Sequence, residues 1–78
     1  MLELERITFN PEVMNGRACI RDMRITVSLI INLVANGMTV RDILDDYPYL
    51  EAEDIRQALA YAAWLADESV YPLNLAVA

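Results

Sequence analysis

Apolar positions recur with a helical period through the middle of the chain and with a two-residue period nearer its ends. Between Val27 and Asn36, the polar residues Ser28, Asn32 and Asn36 fall four apart on one narrow stripe. Val27, Leu29, Ile30, Ile31, Leu33, Val34 and Ala35 fill the remaining arc of roughly 240°, at ~100° per residue. A surface helix needs an apolar arc of only a little over ~100°. This helix is therefore expected to be central and covered on most sides. Thr26 is suited to cap it, and Gly37 to end it in a left-handed conformation.

A second helix is expected from Thr39, which with Asp42 forms a variant capping box, to a stop at Tyr47-Pro48. Val40, Ile43 and Leu44 would face inward. Asp45 and Asp46 lie in its last turn, either as a solvated acidic end or as a patch kept for a basic partner. A third, longer helix is expected from near Glu51, with Ile55, Ala58, Leu59, Ala62 and Ala66 on its core stripe. Glu51, Glu53 and Asp54 suit its positive end. Tyr61 and Trp64 fall off that stripe, among Glu53, Gln57 and Glu68. Either they anchor an interface, or the N-terminal ribbon or the tail covers them within the same chain.

Before the helices, Ile7-Thr8-Phe9 reads as a strand with Ile7 and Phe9 on one face. Asn10-Pro11 breaks it, Asn15-Gly16 signals a turn, and Ala18-Cys19-Ile20 and Arg24-Ile25 supply further strand pieces. After the helices, Tyr71, Leu73, Leu75 and Val77 alternate strictly, with Pro72 marking an edge strand or an extended arm. The expected fold is mainly α. A three-helix, helix-turn-helix core (26–67) follows a small β ribbon (6–25) and precedes an extended tail (68–78), all in one domain over 1–78.

Composition sharpens this picture. The apolar share is 56% in a chain of 78 residues, and so short a chain buries only about 60% of its unfolded surface. The surplus suggests a homodimer or a bound partner. No apolar run reaches the ~18 residues of a membrane span, the N-terminus lacks a signal-peptide pattern, and a single cysteine allows no internal disulfide; a cytoplasmic protein is expected. Residues 1–40 carry four acids and four arginines, and residues 41–78 carry eight acids and two arginines, which is the whole net charge of −6.

The chemical toolkit is sparse. Histidine and lysine are absent, there are only two glycines, and Cys19 is alone. That disfavours general-base catalysis, a lysine nucleophile, a zinc site and a phosphate loop, so neither catalytic residues nor a cofactor are expected. Cys19 is expected to be a small buried apolar group. In a helix-turn-helix the third helix would meet DNA with Glu51, Glu53 and Asp54, which oppose a phosphate backbone. The candidate nucleic-acid contacts are Arg17, Arg21, Arg24 and Arg56, with Arg6 nearby, and DNA binding is the alternative rather than the leading reading. The candidate partner-binding residues are Tyr61, Trp64, Tyr71, Leu73 and Leu75.

Several runs resemble a known family. They are Ile7-Thr8-Phe9-Asn10-Pro11, Asn15-Gly16-Arg17, Cys19-Ile20-Arg21, Arg24-Ile25-Thr26-Val27, Ala35-Asn36-Gly37-Met38-Thr39, Asp45-Tyr47-Pro48 and Leu50-Glu53-Asp54-Ile55. Together they cover about residues 5–66 and resemble the prokaryotic domain-of-unknown-function family four-hundred-thirty-three. Three places depart from its pattern: Ala18 for a usual proline, Asp22-Met23 for Gly-Thr, and Glu51 for a Thr or Ser cap. The resemblance implies a homeodomain-like helical domain with a small N-terminal β element. It also implies an antitoxin role, encoded beside a toxin with a PIN-like nuclease fold; the alternative is a DNA-binding regulator of its own operon.

Overall fold

In the computed structural model, residues 4–68 are described. The chain runs β1 (Ile7–Thr8), a 3₁₀ turn (Met14–Gly16), β2 (Cys19–Ile20), α1 (Val27–Ala35), α2 (Val40–Asp46) and α3 (Ala52–Glu68). It is mainly helical, with one small two-stranded antiparallel sheet in which Ile7 faces Ile20 and Thr8 faces Cys19. The tail, with Tyr71, Leu73 and Leu75, lies outside the described residues.

Local chemistry explains each boundary. The Thr26 hydroxyl accepts the Leu29 N–H at 3.0 Å and starts α1. Gly37 follows the helix at φ +94°, where a side chain would be strained. Thr39 and Asp42 complete the expected capping box at both ends, each bond 3.1 Å. Tyr47, just before Pro48, closes α2. The stripe of Ser28, Asn32 and Asn36 bonds to its own helix, since the Asn32 and Asn36 amides donate to the carbonyls four residues back.

Past β2 the chain reverses in a tight hairpin that bridges Cys19 to Thr26. Arg21 and Asp22 occupy its turn at φ 46° and 59°, and the Met23 N–H closes it on the Ile20 carbonyl at 2.7 Å. Two left-handed central residues match the twist of the flanking strands, a role usually given to Asn, Asp or Gly. Asp22 fits that habit and Arg21 does not. Beyond the turn, the Ile20 N–H donates to the Ile25 carbonyl and the Val27 N–H to the Ala18 carbonyl, both at 2.9 Å. The ribbon thereby runs directly into α1.

Ile7, Ile20, Ile25, Val27, Ile30, Ile43, Leu50, Ile55 and Ala58 form the core. Cys19 is 1% exposed, and burial pushes its thiol pKa up, as an unreactive apolar role requires.

Four expectations about burial are corrected. Within the described residues α1 is not covered on most sides: Val27 and Ile30 are buried, Leu29, Ile31, Leu33 and Val34 half-buried, and Ala35 exposed. Val40, the first residue of α2, is exposed. Leu59 and Ala66 on the α3 stripe are exposed as well. Length explains the exposure of Ala66, because α3 is 17 residues and α1 only 9. At 1.5 Å per residue that is ~25 Å against ~13 Å, and the second half of α3 outruns its support. Finally, Ile7 and Phe9 do not share one fate. Ile7 is buried, but β1 ends at Thr8 and Phe9 stands 53% exposed.

Candidate functional site

Two clusters stand out, one polar and buried, the other aromatic and open. The polar cluster centres on Asp54, in the first turn of α3 and fully buried. Its carboxylate accepts Arg21 Nε at 3.0 Å and Nη2 at 2.7 Å, Arg6 Nη1 at 3.0 Å and the Glu51 backbone N–H at 2.8 Å. The last bond caps α3 from within. Arg6 also reaches Glu51 at 2.7 Å, and Arg21 reaches the Tyr49 carbonyl at 3.0 Å. Burial alone would raise the Asp54 pKa; the bonds from Arg21, the Glu51 N–H and Arg6 outweigh it and hold the carboxyl below its usual range.

Next to it, buried Gln57 accepts the Arg6 backbone N–H at 3.0 Å and donates to Glu53 at 2.9 Å. Glu53 is gripped by Arg56 at 2.8 and 2.6 Å, which with Gln57 lowers its pKa to about 2. No buried side-chain polar atom among the described residues lacks a partner. This cluster is a structural clasp between ribbon and α3.

The clasp decides the fate of the candidate nucleic-acid residues. Arg21 and Arg56 are committed to carboxylates, and so is Arg6. Arg17 and Arg24 are exposed and form no ion pair among the described residues. Of the four candidates, two are thus paired to carboxylates within the chain and two are not, among the described residues. Sequence reading also placed Gln57 on a polar face, whereas it is buried. Its partners across the fold, the Arg6 backbone and the Glu5 carboxylate, are more than 50 residues away, so no local signal could have found it.

The aromatic cluster is built where α3 outruns its support. Phe9 meets Tyr61 edge-on with ring centroids 5.8 Å apart, and Tyr61 stacks on Trp64 at 6.1 Å. The ribbon does cover Tyr61 in part, leaving it half-buried, but Trp64 remains 43% exposed. Beside Tyr61 lies an apolar groove of about 310 Å³ between the start of α1 and the second half of α3, lined by Val27, Ile31, Tyr61, Ala62 and Leu65 with Arg17 at its edge. Phe9, Ile31 and Leu65 belong to this face and were not among the candidates. Leu65, beside Trp64 and seven residues after Ala58 at the edge of the α3 stripe, was the available clue.

The family model described as "Protein of unknown function (DUF433)" matches residues 7–62. The chain belongs to this family. The DUF433 match spans both strands, α1, α2 and α3 as far as Ala62, so it holds Arg21, Glu51, Asp54 and Gln57 of the clasp together with Phe9 and Tyr61, while Arg6 lies just before it and Trp64 and Leu65 just beyond it. Over 58 residues the chain is 36% identical to an uncharacterized protein, y4eO, of Sinorhizobium fredii (strain NBRC 101917 / NGR234), an alignment covering 74% of this chain and 26% of that protein. The chain therefore spans about a quarter of the length of this curated relative. No solved structure matches it. Among the described residues, no helix is long and apolar enough to cross a membrane.

Proposed function

We propose that this DUF433 protein is a non-catalytic partner-binding protein of the antitoxin type, which as a homodimer binds and neutralises a nuclease with a PIN-like fold. The observation that carries the proposal is the open face formed by Phe9, Tyr61, Trp64 and Leu65. Three of these are among the large apolar side chains left exposed: Phe9 at 53%, Trp64 at 43% and Leu65 at 42%. Tryptophan and tyrosine at the centre of an apolar patch are the side chains that most often dominate binding energy.

Charge agrees with this reading. The acidic excess of residues 41–78 complements a nuclease that must itself attract a polyanion. The tail residues Tyr71, Leu73 and Leu75 would add to the same face. A DNA-binding role has weaker support, since Arg6, Arg21 and Arg56 already answer to carboxylates and α3 opens on Glu51, Glu53 and Asp54.

The test is co-purification of the full chain with the product of any neighbouring PIN-like gene, followed by an RNA-cleavage assay. The expected result is a stable complex that suppresses cleavage at equal concentrations, with Trp64→Ala weakening binding by at least ~30-fold, the effect of a hot-spot residue worth ~2 kcal/mol. Undiminished cleavage in an excess of the chain would refute the proposal.

A further inference from the structure

The groove between α1 and α3 raises the question of what fills it. Its position relative to the end of α3 answers best. Leu65, on one wall, sits three residues before Glu68, the last described residue of α3. Ten residues follow, Ser69 to Ala78, and none of them is charged. Val70, Tyr71, Leu73, Leu75 and Val77 make half of that segment large and apolar.

We infer that residues 69–78 turn back at the end of α3 and seat the alternating side chains Tyr71, Leu73 and Leu75 in the groove of the same chain. Reach is not limiting. Ten residues extend at most ~33–36 Å, while the wall from Leu65 back to Tyr61 is only ~6 Å along the helix axis. A short tether holds its own end at an effective concentration on the order of millimolar, well above that of a second copy in a dilute solution.

Chemistry fits too. A segment without charged side chains brings no ion of its own into a slot that is mostly apolar, with Arg17 at its edge. The slot's volume, about 310 Å³, sits at the low end of the ~300–1,000 Å³ typical of sites that hold a small ligand. Half-buried Ile31, which the sequence pattern of α1 marks as a position needing cover, would gain it.

Seated this way, the tail and the groove cover one another in the free protein, and a partner that uses Tyr71, Leu73 or Leu75 must first release them. Only that last consequence rests on the proposed partner-binding role; the docking does not.

The experiment uses the full chain alone in solution, with methyl-labelled Ile, Leu and Val. Nuclear Overhauser contacts are expected between Leu73 or Leu75 and Ile31 or Leu65, and they should stay intramolecular in an equal mixture of labelled and unlabelled chains. Leu73→Asp with Leu75→Asp should abolish them and shift the Ile31 and Leu65 methyl resonances, with the helical circular-dichroism signal unchanged. Contacts that prove intermolecular would give the groove to a second copy and overturn the inference. So would random-coil shifts throughout 71–77 with no such contacts. Neither outcome depends on whether a nuclease binds.

Discussion

Arg21 holds Asp54 with two bonds at once, Nε to Oδ1 at 3.0 Å and Nη2 to Oδ2 at 2.7 Å, across 33 residues of sequence. This pairing ties the ribbon's turn to the first turn of α3. Arg21 is a poor choice for a left-handed turn position by itself. Its side chain offsets that cost by joining a buried carboxylate, and its backbone N–H adds a bond to the Arg6 carbonyl at 2.8 Å.

Removing Asp54 should therefore be among the most damaging single changes. Truncating one partner of a buried ion pair costs ~3–5 kcal/mol. Arg21 and Arg6 keep some access to water, with side chains 39% and 24% exposed, so the low end, about 3 kcal/mol, applies to Asp54→Ala. Typical domains have only ~5–15 kcal/mol in all. Urea denaturation should show a large fall in midpoint, and Asp54→Asn, which keeps the shape, should fall between the two. A midpoint within error of the parent would show the clasp to be dispensable.

Acid should weaken the same clasp. Asp54 and Glu53 both titrate below their usual range in the folded chain, Glu53 at about 2. A carboxyl depressed on folding stabilises the fold at every pH above its unfolded value, near ~4. That contribution fades as pH drops toward the folded value. Urea midpoints at pH 7 and pH 5 should show no loss from these two groups, and the midpoint at pH 3 should be lower. Asp54→Asn should reduce the drop.

Gly37 offers a test of backbone conformation separate from packing. Nothing lies within 4 Å of where its Cβ would stand, yet its φ is +94°. Gly37→Ala should cost about 1 kcal/mol by left-handed strain alone. Gly37→Asn should recover part of it, since asparagine tolerates this region better. An unchanged midpoint for the alanine variant would mean the turn after α1 relaxes at no cost.

Trp64 should matter more for association than for folding. With 43% of its surface exposed, Trp64→Ala should shift stability far less than the ~3–5 kcal/mol of a buried aromatic. Tyr61→Ala should destabilise more, because its ring is half-buried between Phe9 and Trp64. Light scattering of the two variants against the parent should then separate a loss of self-association from a loss of fold. Equal, large destabilisation by both would place Trp64 in the core instead.

The local features of this protein were legible in its sequence: the cap at Thr26, the box at Thr39 and Asp42, the stop at Pro48, the turn at Asn15-Gly16, and the helical periods between them. Each depends on residues within four positions of one another, so the chain states it directly. Tertiary structure alone decided which of the helices' apolar positions are covered, because coverage depends on where a 17-residue helix outruns a 9-residue one. It also buried Asp54, expected only as a charge at the positive end of α3, and Gln57, expected on its polar face, and paired Arg6 and Arg21 with that buried carboxylate. Those outcomes rest on partners 33 to 51 residues away, and no periodicity along a single helix carries information over that distance.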